Sequence, residues 1–255
     1  MIPAMSPARI VYVGHATVLI ELDGVRLLTD PVLGSWLGPL RRHGAAPPAA
    51  VTAGLDAVLI SHLHRDHLDR RSLRRLAPEV PLVVPAGTGA FFARHVTGEV
   101  VELAPGQSHR IGAVEVTATA ATHEIGRRGI AAAPVGYLVA GGRRVYFAGD
   151  TDLFAGMADF ARGLDLALLP VWGWGPTLGL GHMNPERAAR AAAALAPRLA
   201  VPIHWGTFYP AGLARLRPLP LSEPPREFAA RLRDLAPQVT AKILQPGAAL
   251  SMRES

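Results

Sequence analysis

The chain has 255 residues, of which 49% are apolar and 18% are charged, a composition typical of globular proteins that excludes an intrinsically disordered one. The formal net charge is +6, but the arginines are scattered in small groups, so we expect no dedicated nucleic-acid surface. There is no cysteine, which excludes disulfides and thiolate metal ligands and favours a cytoplasmic location.

The hydropathy pattern predicts neither a secretory signal nor a transmembrane segment. The first twenty residues lack a basic start, an unbroken apolar core and a small-residue cleavage site. No stretch of about 18 apolar residues is free of charge, Pro or Gly. The most apolar region, residues 164–181, contains several glycines and prolines, and it reads as a buried strand followed by a loop.

The first half of the chain is predicted to consist mainly of strands. The strongest turn signal is Asp23-Gly24, which predicts a hairpin between the strands 10–22 and 25–29. A loop rich in Pro, Gly and Ala is expected over 31–54. Hydrophobic spacing then predicts short strands at 57–60 and 81–85, helices at 68–76 and 89–95, and extended chain over 100–121.

The second half alternates between strands and helices. The spacing predicts strands at 137–139, 143–148, 164–170, 199–204 and 239–244, and helices at 184–195 and 224–235. Asn184 is placed to cap the first of these helices, with Pro185 at its first position. We therefore predict one domain, 1–255, of the α/β (α+β) class, in which helices cover a sandwich of sheets.

One short window carries most of the chemistry. It reads His62-Leu63-His64-Arg65-Asp66-His67 and directly follows the strand 57–60. The two-residue spacing of His62 and His64 places both rings on one side of an extended segment. Further donors follow later strands: His123, Asp150 and His204. Five imidazoles and two carboxylates are too many for one ion and suit a pair of divalent metals, zinc first, with manganese or iron as alternatives.

The His-x-His-x-Asp-His window, followed by isolated His, Asp and His residues after strands, resembles the metallo-β-lactamase superfamily. The resemblance implies a four-layer αββα sandwich with a binuclear site on one edge. It also implies the ligand sets. His62, His64 and His123 would hold the first metal, and Asp66, His67 and His204 the second. Asp150 would bridge them.

Within that superfamily the chain is similar to the branch that contains ascorbate-6-phosphate lactonase and N-acylphosphatidylethanolamine phospholipase D. The similarity is carried by Val-Gly-His-Ala-Thr-Val-Leu-Ile, Leu-Thr-Asp-Pro, Gly-His-Met-Asn-Pro-Glu and His-Trp-Gly-Thr. The branch implies that a metal-bridged hydroxide attacks a phosphodiester or lactone of a small or lipid-like anionic substrate, and Asp150 argues against β-lactam cleavage. Asp66 or His182 would carry the proton, although His182 could instead be a helix-entry residue near Asn184.

For several other residues, the sequence allows two interpretations. His15 is either part of the pocket floor or a structural residue at a strand bend. Trp172 and Trp174 are either a substrate wall or core aromatics. The carboxylates that could orient ligand imidazoles, or serve only in turns and caps, are Asp30, Asp69 and Asp152.

Two rival functions remain open on the sequence. One is a nuclease of the same fold, although such enzymes usually carry an added substrate-gripping segment. The other is a regulatory protein that holds metal without catalysis. A di-iron redox role is disfavoured, because those relatives typically carry Glu where this chain has His64. Substrate identity depends on loops near Trp36, Arg127 and Trp172, and the sequence carries no signal for the oligomeric state.

Overall fold

The computed structural model describes residues 8–94, 96–123, 132–160 and 162–252. In chain order its strands are β1 (Ala8–Gly14), β2 (Thr17–Leu22), β3 (Val25–Thr29), β4 (Trp36–Leu37), β5 (Leu40–Arg42), β6 (Ala57–Leu59), β7 (Leu82–Pro85), β8 (Val100–Leu103), β9 (Ser108–Ile111), β10 (Val114–Ala120), β11 (Val135–Ala140), β12 (Arg144–Phe147), β13 (Leu166–Pro170), β14 (Leu199–Ile203), β15 (Phe208–Pro210), β16 (Thr240–Ala241) and β17 (Ala249–Met252). The α-helices are α1 (Arg70–Leu73), α2 (Gly89–Phe92), α3 (Pro185–Leu195) and α4 (Glu223–Leu235). Short 3-10 helices occur at Ala49–Val51, Ala155–Ala158, Leu213–Arg215 and Leu219–Leu221.

Two seven-stranded sheets form the centre of the molecule. The first has the order β17-β1-β2-β3-β6-β7-β8, and the second has the order β16-β14-β13-β12-β11-β10-β9. Within the first, β3, β6, β7 and β8 run parallel, and within the second, β12, β13, β14 and β16 run parallel. Parallel strands end at a common edge, so the loops that follow them lie close together.

The main core lies between the two sheets. Alternate residues of β1 and β2 pack against apolar residues of the second sheet, among them Val116, Val139 and Phe147. Two buried tyrosines tie the sheets together beside the predicted ligand loops. The Tyr137 hydroxyl donates to the carbonyl of Ile60 at 2.8 Å, and the Tyr12 hydroxyl donates to the carbonyl of Trp205 at 2.9 Å.

Helices cover the outer face of each sheet. A second apolar cluster, which includes Val58, Leu73 and Phe92, packs α1 and α2 against the first sheet. On the other side, Ala188 and Phe228 bring α3 and α4 against the second sheet. Asn184 caps α3 by accepting the backbone N–H of Arg187 at 2.9 Å, as predicted. The layers therefore run αββα, and the predicted fold class is confirmed.

The predicted strand 10–22 is wrong, because the chain reverses within it. β1 and β2 are antiparallel neighbours separated by a turn at Gly14 and His15, whose φ angles are 130° and 57°. Apolar residues continue through the turn, so the pattern shows no break. By contrast, the Asp23-Gly24 hairpin is confirmed, with both φ angles positive at 53° and 82°.

The hydropathy pattern also failed to predict short strands whose pairing partners are distant in the sequence. The predicted loop 31–54 contains β4 and β5, which form a three-stranded sheet with β15. The predicted strand 239–244 shrinks to β16, and the last strand is β17, which pairs with β1. The helix predicted at 68–76 is only Arg70–Leu73. Two- to four-residue elements depend on tertiary partners that local periodicity does not reveal.

Candidate metal centre

All seven predicted ligands meet at one edge of the sandwich, because each follows the end of a strand. The window 62–67 follows β6, His123 follows β10, Asp150 follows β12 and His204 follows β14. The side chains of His62, His67, His123, Asp150 and His204 are buried. Their ring nitrogens and carboxylate oxygens form overlapping groups in which the donor atoms lie within 4.8 Å of one another.

The first group consists of His62, His64 and His123. His123 Nε2 lies 3.0 Å from His64 Nδ1. The three rings are arranged edge to face, with centroids 4.6 to 4.9 Å apart. His62 Nε2 is buried and has no hydrogen-bond partner among the described residues. Three ring nitrogens therefore face one small volume.

The second group contains Asp66, His67 and His204. The Nε2 atoms of His67 and His204 lie 3.0 Å apart. Asp66 Oδ2 is 3.6 Å from His204 Nε2 and 3.8 Å from His67 Nε2. His15 completes the group, since its Nε2 lies 3.0 Å from the same Asp66 oxygen.

Asp150 lies between the two groups. Its carboxylate oxygens are 3.1 Å from His67 Nε2, 3.3 Å from His204 Nε2 and 4.0 Å from His123 Nε2. None of these contacts has the direction of a hydrogen bond, so both oxygens are buried without such a bond in the described part of the chain. A buried carboxylate without hydrogen bonds is costly unless a cation compensates it.

Oxygen atoms behind the rings fix the orientation of four imidazoles. His123 Nδ1 donates to the Gly181 carbonyl at 2.8 Å, and His204 Nδ1 donates to the Trp172 carbonyl at 2.6 Å. His67 Nδ1 lies 2.7 Å from Asp30 Oδ2. That carboxylate also accepts from the Ser61 backbone N–H and hydroxyl, at 2.7 and 2.5 Å. Because the hydroxyl proton of Ser61 points to Asp30, its oxygen accepts from His62 Nδ1 at 3.0 Å.

These outer hydrogen bonds decide where the lone pairs lie. With each Nδ1 carrying a proton outward, the Nε2 atoms of His62, His67, His123 and His204 present lone pairs to the interior. Two such lone pairs 3.0 Å apart repel each other unless a proton or a cation lies between them. Two ligands of a tetrahedral zinc ion are about 3.3 Å apart, from Zn–N bonds of about 2.0–2.1 Å. The donor set therefore fits divalent metals.

Protons take the place of cations when no metal is bound. Burial lowers the pKa of His67, but the carboxylates of Asp150, Asp30 and Asp66 outweigh it and raise that pKa well above its usual range. Burial raises the pKa of Asp150, yet His204 and His67 hold it well below the usual value. Burial raises the pKa of Asp30, and the contacts with His67 and Ser61 only partly oppose that rise.

Backbone conformations with positive φ angles are concentrated at the site. Of the five non-glycine residues with positive φ in the described ranges, three belong to it: His15 at 57°, Asp30 at 34° and His204 at 63°. The backbone N–H of His204 donates to the carbonyl of His15 at 2.8 Å, which joins two of them. Residues in this region cost free energy and persist where the surrounding structure imposes them.

Sequence reasoning identified the side chains that converge here more completely than the residues that support them. Asp30 contacts a ligand imidazole, whereas Asp69 caps α1 and Asp152 pairs with Arg187 at 2.5 Å on the surface. Ser61 was missed, although its position directly before the window was a usable signal. Of the two interpretations of His15, the structure supports the one in the pocket. The centroid of its ring lies 3.8 Å from that of His204, and its Nε2 contacts Asp66.

His182 and the tryptophans border the centre. His182 Nε2 lies 3.2 Å from Asp150 Oδ2, and its Nδ1 donates to the Leu180 carbonyl at 2.9 Å. Burial lowers the pKa of His182, but the contact with Asp150 raises it to about 9. Trp172 packs against the core, whereas Trp174 is 43% exposed and lines a cavity beside Asp66. Arg127 lies outside the described residues.

This cavity, which we call the apolar cavity, has a volume of about 170 Å³. Its walls are Leu37, Pro39, Leu40 and Trp174, and Arg65 and Asp66 border it. Apolar walls next to a candidate ligand are suited to the hydrocarbon part of a substrate.

The fold and the convergent His and Asp side chains define a metallo-β-lactamase-type protein. Residues 25–205 match the family model described as the beta-lactamase superfamily domain. The chain belongs to this family.

Relatives fall into two groups by length. An uncharacterized protein of Mycobacterium tuberculosis is 34% identical over 92% of this chain and 66% of its own length. An N-acyl-phosphatidylethanolamine-hydrolyzing phospholipase D of Caenorhabditis elegans is 31% identical over 79% of this chain and 64% of its own length. The chain thus spans just under two thirds of these relatives. A metal-dependent hydrolase of Methanopyrus kandleri is 31% identical over 94% of this chain and 97% of its own length.

A solved structure supports the fold. The metallo hydrolase Igni18 of Ignicoccus hospitalis superposes with a TM-score of 0.75 at 23% identity, covering 98% of this chain and 100% of that one. Within the part of the chain that the structure describes, none of the helices has the length and hydropathy needed to cross a bilayer.

Proposed function

We propose that the protein is a binuclear metal-dependent hydrolase. His62, His64 and His123 would hold one ion, Asp66, His67 and His204 would hold the other, and Asp150 would contact both. The observation that carries this proposal is the convergence of buried nitrogen lone pairs whose opposite ring nitrogens are all fixed by oxygen acceptors. Zinc is our first choice, and the nitrogen and oxygen donors also suit manganese or iron.

A bound pair of divalent ions would supply a water of near-neutral pKa and would polarise the group under attack. The chain's own residues do the rest. Asp30 and the Gly181 and Trp172 carbonyls hold the imidazoles in place, and Asp150 is buried between them. His182 would protonate the leaving oxygen as its bond breaks. Asp66 is the weaker proton carrier, because His67 and His15 outweigh burial and hold its pKa well below the usual value.

We propose a phosphodiester or lactone of a small or lipid-like anionic compound as the substrate. The apolar cavity beside Asp66 supports a substrate with a hydrocarbon part. The relative from Caenorhabditis elegans, an N-acyl-phosphatidylethanolamine-hydrolyzing phospholipase D, points in the same direction.

A substrate panel tests this function. Metal-loaded protein would be assayed on bis(4-nitrophenyl) phosphate, an alkyl lactone, a thioester and single- and double-stranded DNA, each with and without chelator. We expect chelator-sensitive hydrolysis of the phosphodiester or the lactone. Preferred cleavage of DNA would favour a nuclease, and silence on every substrate would favour a metal-holding protein without catalysis.

Replacing His182 by Ala tests the proton donor. We expect kcat to fall about 100-fold or more on a phosphodiester with an alkyl leaving group. The loss should be much smaller with a 4-nitrophenyl leaving group, which needs no proton. Metal content should stay at the wild-type level. Equal losses on both substrates would contradict the role of His182 as an acid.

Metal uptake should depend on pH because His67 must give up a proton. In the metal-free protein its raised pKa keeps the ring protonated at neutral pH, and a metal needs the Nε2 lone pair. Affinity should therefore rise with pH and level off only above the pKa of His67. Calorimetry in two buffers of different ionisation enthalpy counts the protons, and we expect at least one released. Uptake without proton release would contradict this coupling.

His15 is expected to position Asp66. In His15→Asn the shorter side chain withdraws the Nε2 donor, while Asn still tolerates the left-handed backbone. We expect affinity for the second metal to fall about 10- to 100-fold, with the first metal kept. His109→Asn, a change on β9 outside the site, is the control. Unchanged affinity in His15→Asn would show that Asp66 needs no such support.

A further inference from the structure

A second cavity adjoins the apolar cavity on its outer side. It has a volume of about 280 Å³, and its charged lining consists of Arg65, Arg70, Arg71, Arg74 and Asp69. We call the four arginines the arginine pocket. Leu37 and Arg65 line both cavities, so the arginine pocket, the apolar cavity and Asp66 follow one another across the surface.

The charge of the arginine pocket is only partly balanced, because four guanidinium groups share one cavity with a single carboxylate, that of Asp69. Among the described residues, none of its four guanidinium groups forms an ion pair. Asp69 is already engaged, because its oxygens accept the backbone N–H groups of Arg71 and Ser72 and the hydroxyl of Ser72, at 3.2, 3.1 and 2.6 Å. Elsewhere the arrangement differs: Arg143 and Arg198 share the carboxylate of Asp165.

Guanidinium groups stay charged at all working pH values and match the planar, bidentate geometry of phosphate oxygens. Four of them around one cavity repel each other and attract an anion from solution. Arg70, Arg71 and Arg74 line only the arginine pocket, whereas the apolar cavity is bordered by the candidate ligand Asp66. We propose that the arginine pocket binds a second, phosphate-like group of the substrate, one that is not hydrolysed. The inference rests on the proposed hydrolase and narrows its substrate to an amphiphile with a remote phosphate.

The test uses octyl phosphate as the probe and octanol as its uncharged match, titrated by calorimetry into the metal-loaded protein. The variant Arg65→Gln/Arg71→Gln should bind octyl phosphate about tenfold or more weakly, because two charge-assisted contacts are lost. The control Arg190→Gln/Arg231→Gln removes the same charge from α3 and α4, where these arginines pair with Glu186 and Glu227. It should bind like the wild type.

The proposal would be overturned if neither double variant lost affinity for octyl phosphate. It would also be overturned if both variants lost the same amount of affinity. A titration of chelator-treated protein separates the two sites, since binding to arginines should survive metal removal. Binding that disappears with the metals would place the phosphate at the metal centre and contradict the inference. If the protein takes up no metal yet shows arginine-dependent binding, the hydrolase proposal fails while the anion site stands.

Sedimentation with phosphatidic acid or phosphatidylcholine vesicles separates the sources of the phosphate. Arginine-dependent binding of both octyl phosphate and phosphatidic acid vesicles would support a lipid headgroup. Binding of octyl phosphate alone would support a soluble ester. Binding of vesicles alone would contradict a phosphate site and favour general attraction to a charged surface.

Discussion

Asp150→Asn is expected to lower kcat/KM by about 1000-fold or more on whichever ester the protein hydrolyses. Asp150 is a carboxylate close to both ligand groups, within 3.1 to 4.0 Å of His67, His204 and His123. An amide in its place removes one negative charge and turns a donor toward imidazole nitrogens or metals. The metal content should fall below two per chain, and circular dichroism should show that the fold is kept.

The matched control for this variant is Asp152→Asn. Asp152 is two residues further along the chain, but its carboxylate faces the surface and accepts from Arg187. The same change of charge there should leave turnover and metal content near wild-type values. Comparable losses in both variants would mean that the loop after β12 is merely sensitive to substitution, and they would contradict a shared role for Asp150.

Removal of the metals by a chelator is expected to abolish hydrolysis and to lower the melting temperature. Without metal, the buried carboxylates of the centre are compensated only by protons on the imidazoles, whereas bound ions would engage both the carboxylates and the ring nitrogens. At free metal about 100-fold above Kd, each bound ion stabilises the fold by about 2.7 kcal/mol. For a domain of this size that corresponds to a shift of about 5–10 °C per ion.

Adding back zinc should restore both properties, and manganese or iron should restore them if the site accepts those ions. The Asp150→Asn variant provides the internal comparison, because its melting temperature should respond less to chelator. Full activity in metal-free, folded protein would contradict the proposed chemistry.

The fold class and the convergence of the candidate ligand side chains could both be predicted from the sequence. His62, His64, Asp66 and His67 stand in one window after a strand, and that local spacing is independent of tertiary detail. His123, Asp150 and His204 each follow an apolar strand, and these strands run in the same direction, so that their ends lie at one edge. Asn184-Pro185 and Asp23-Gly24 likewise encode their cap and turn locally.

What the sequence did not reveal depends on contacts between distant segments. The left-handed turn at His15 is held by distant residues, because its carbonyl accepts from the His204 backbone N–H and its own N–H donates to the Thr207 hydroxyl. The support of His67 by Asp30 joins residues 37 positions apart. The arginine pocket is visible only in the structure, where four guanidinium groups lie around one cavity and Asp69 caps α1. A cytoplasmic location stays a prediction.

The most direct test of this account is to count the metals. Protein purified without chelator would be analysed for zinc, manganese and iron by elemental analysis, alongside His64→Ala. We predict two ions per chain in the wild type and about one in the variant. Wild-type protein that is folded and hydrolytically active with no bound metal would contradict the account.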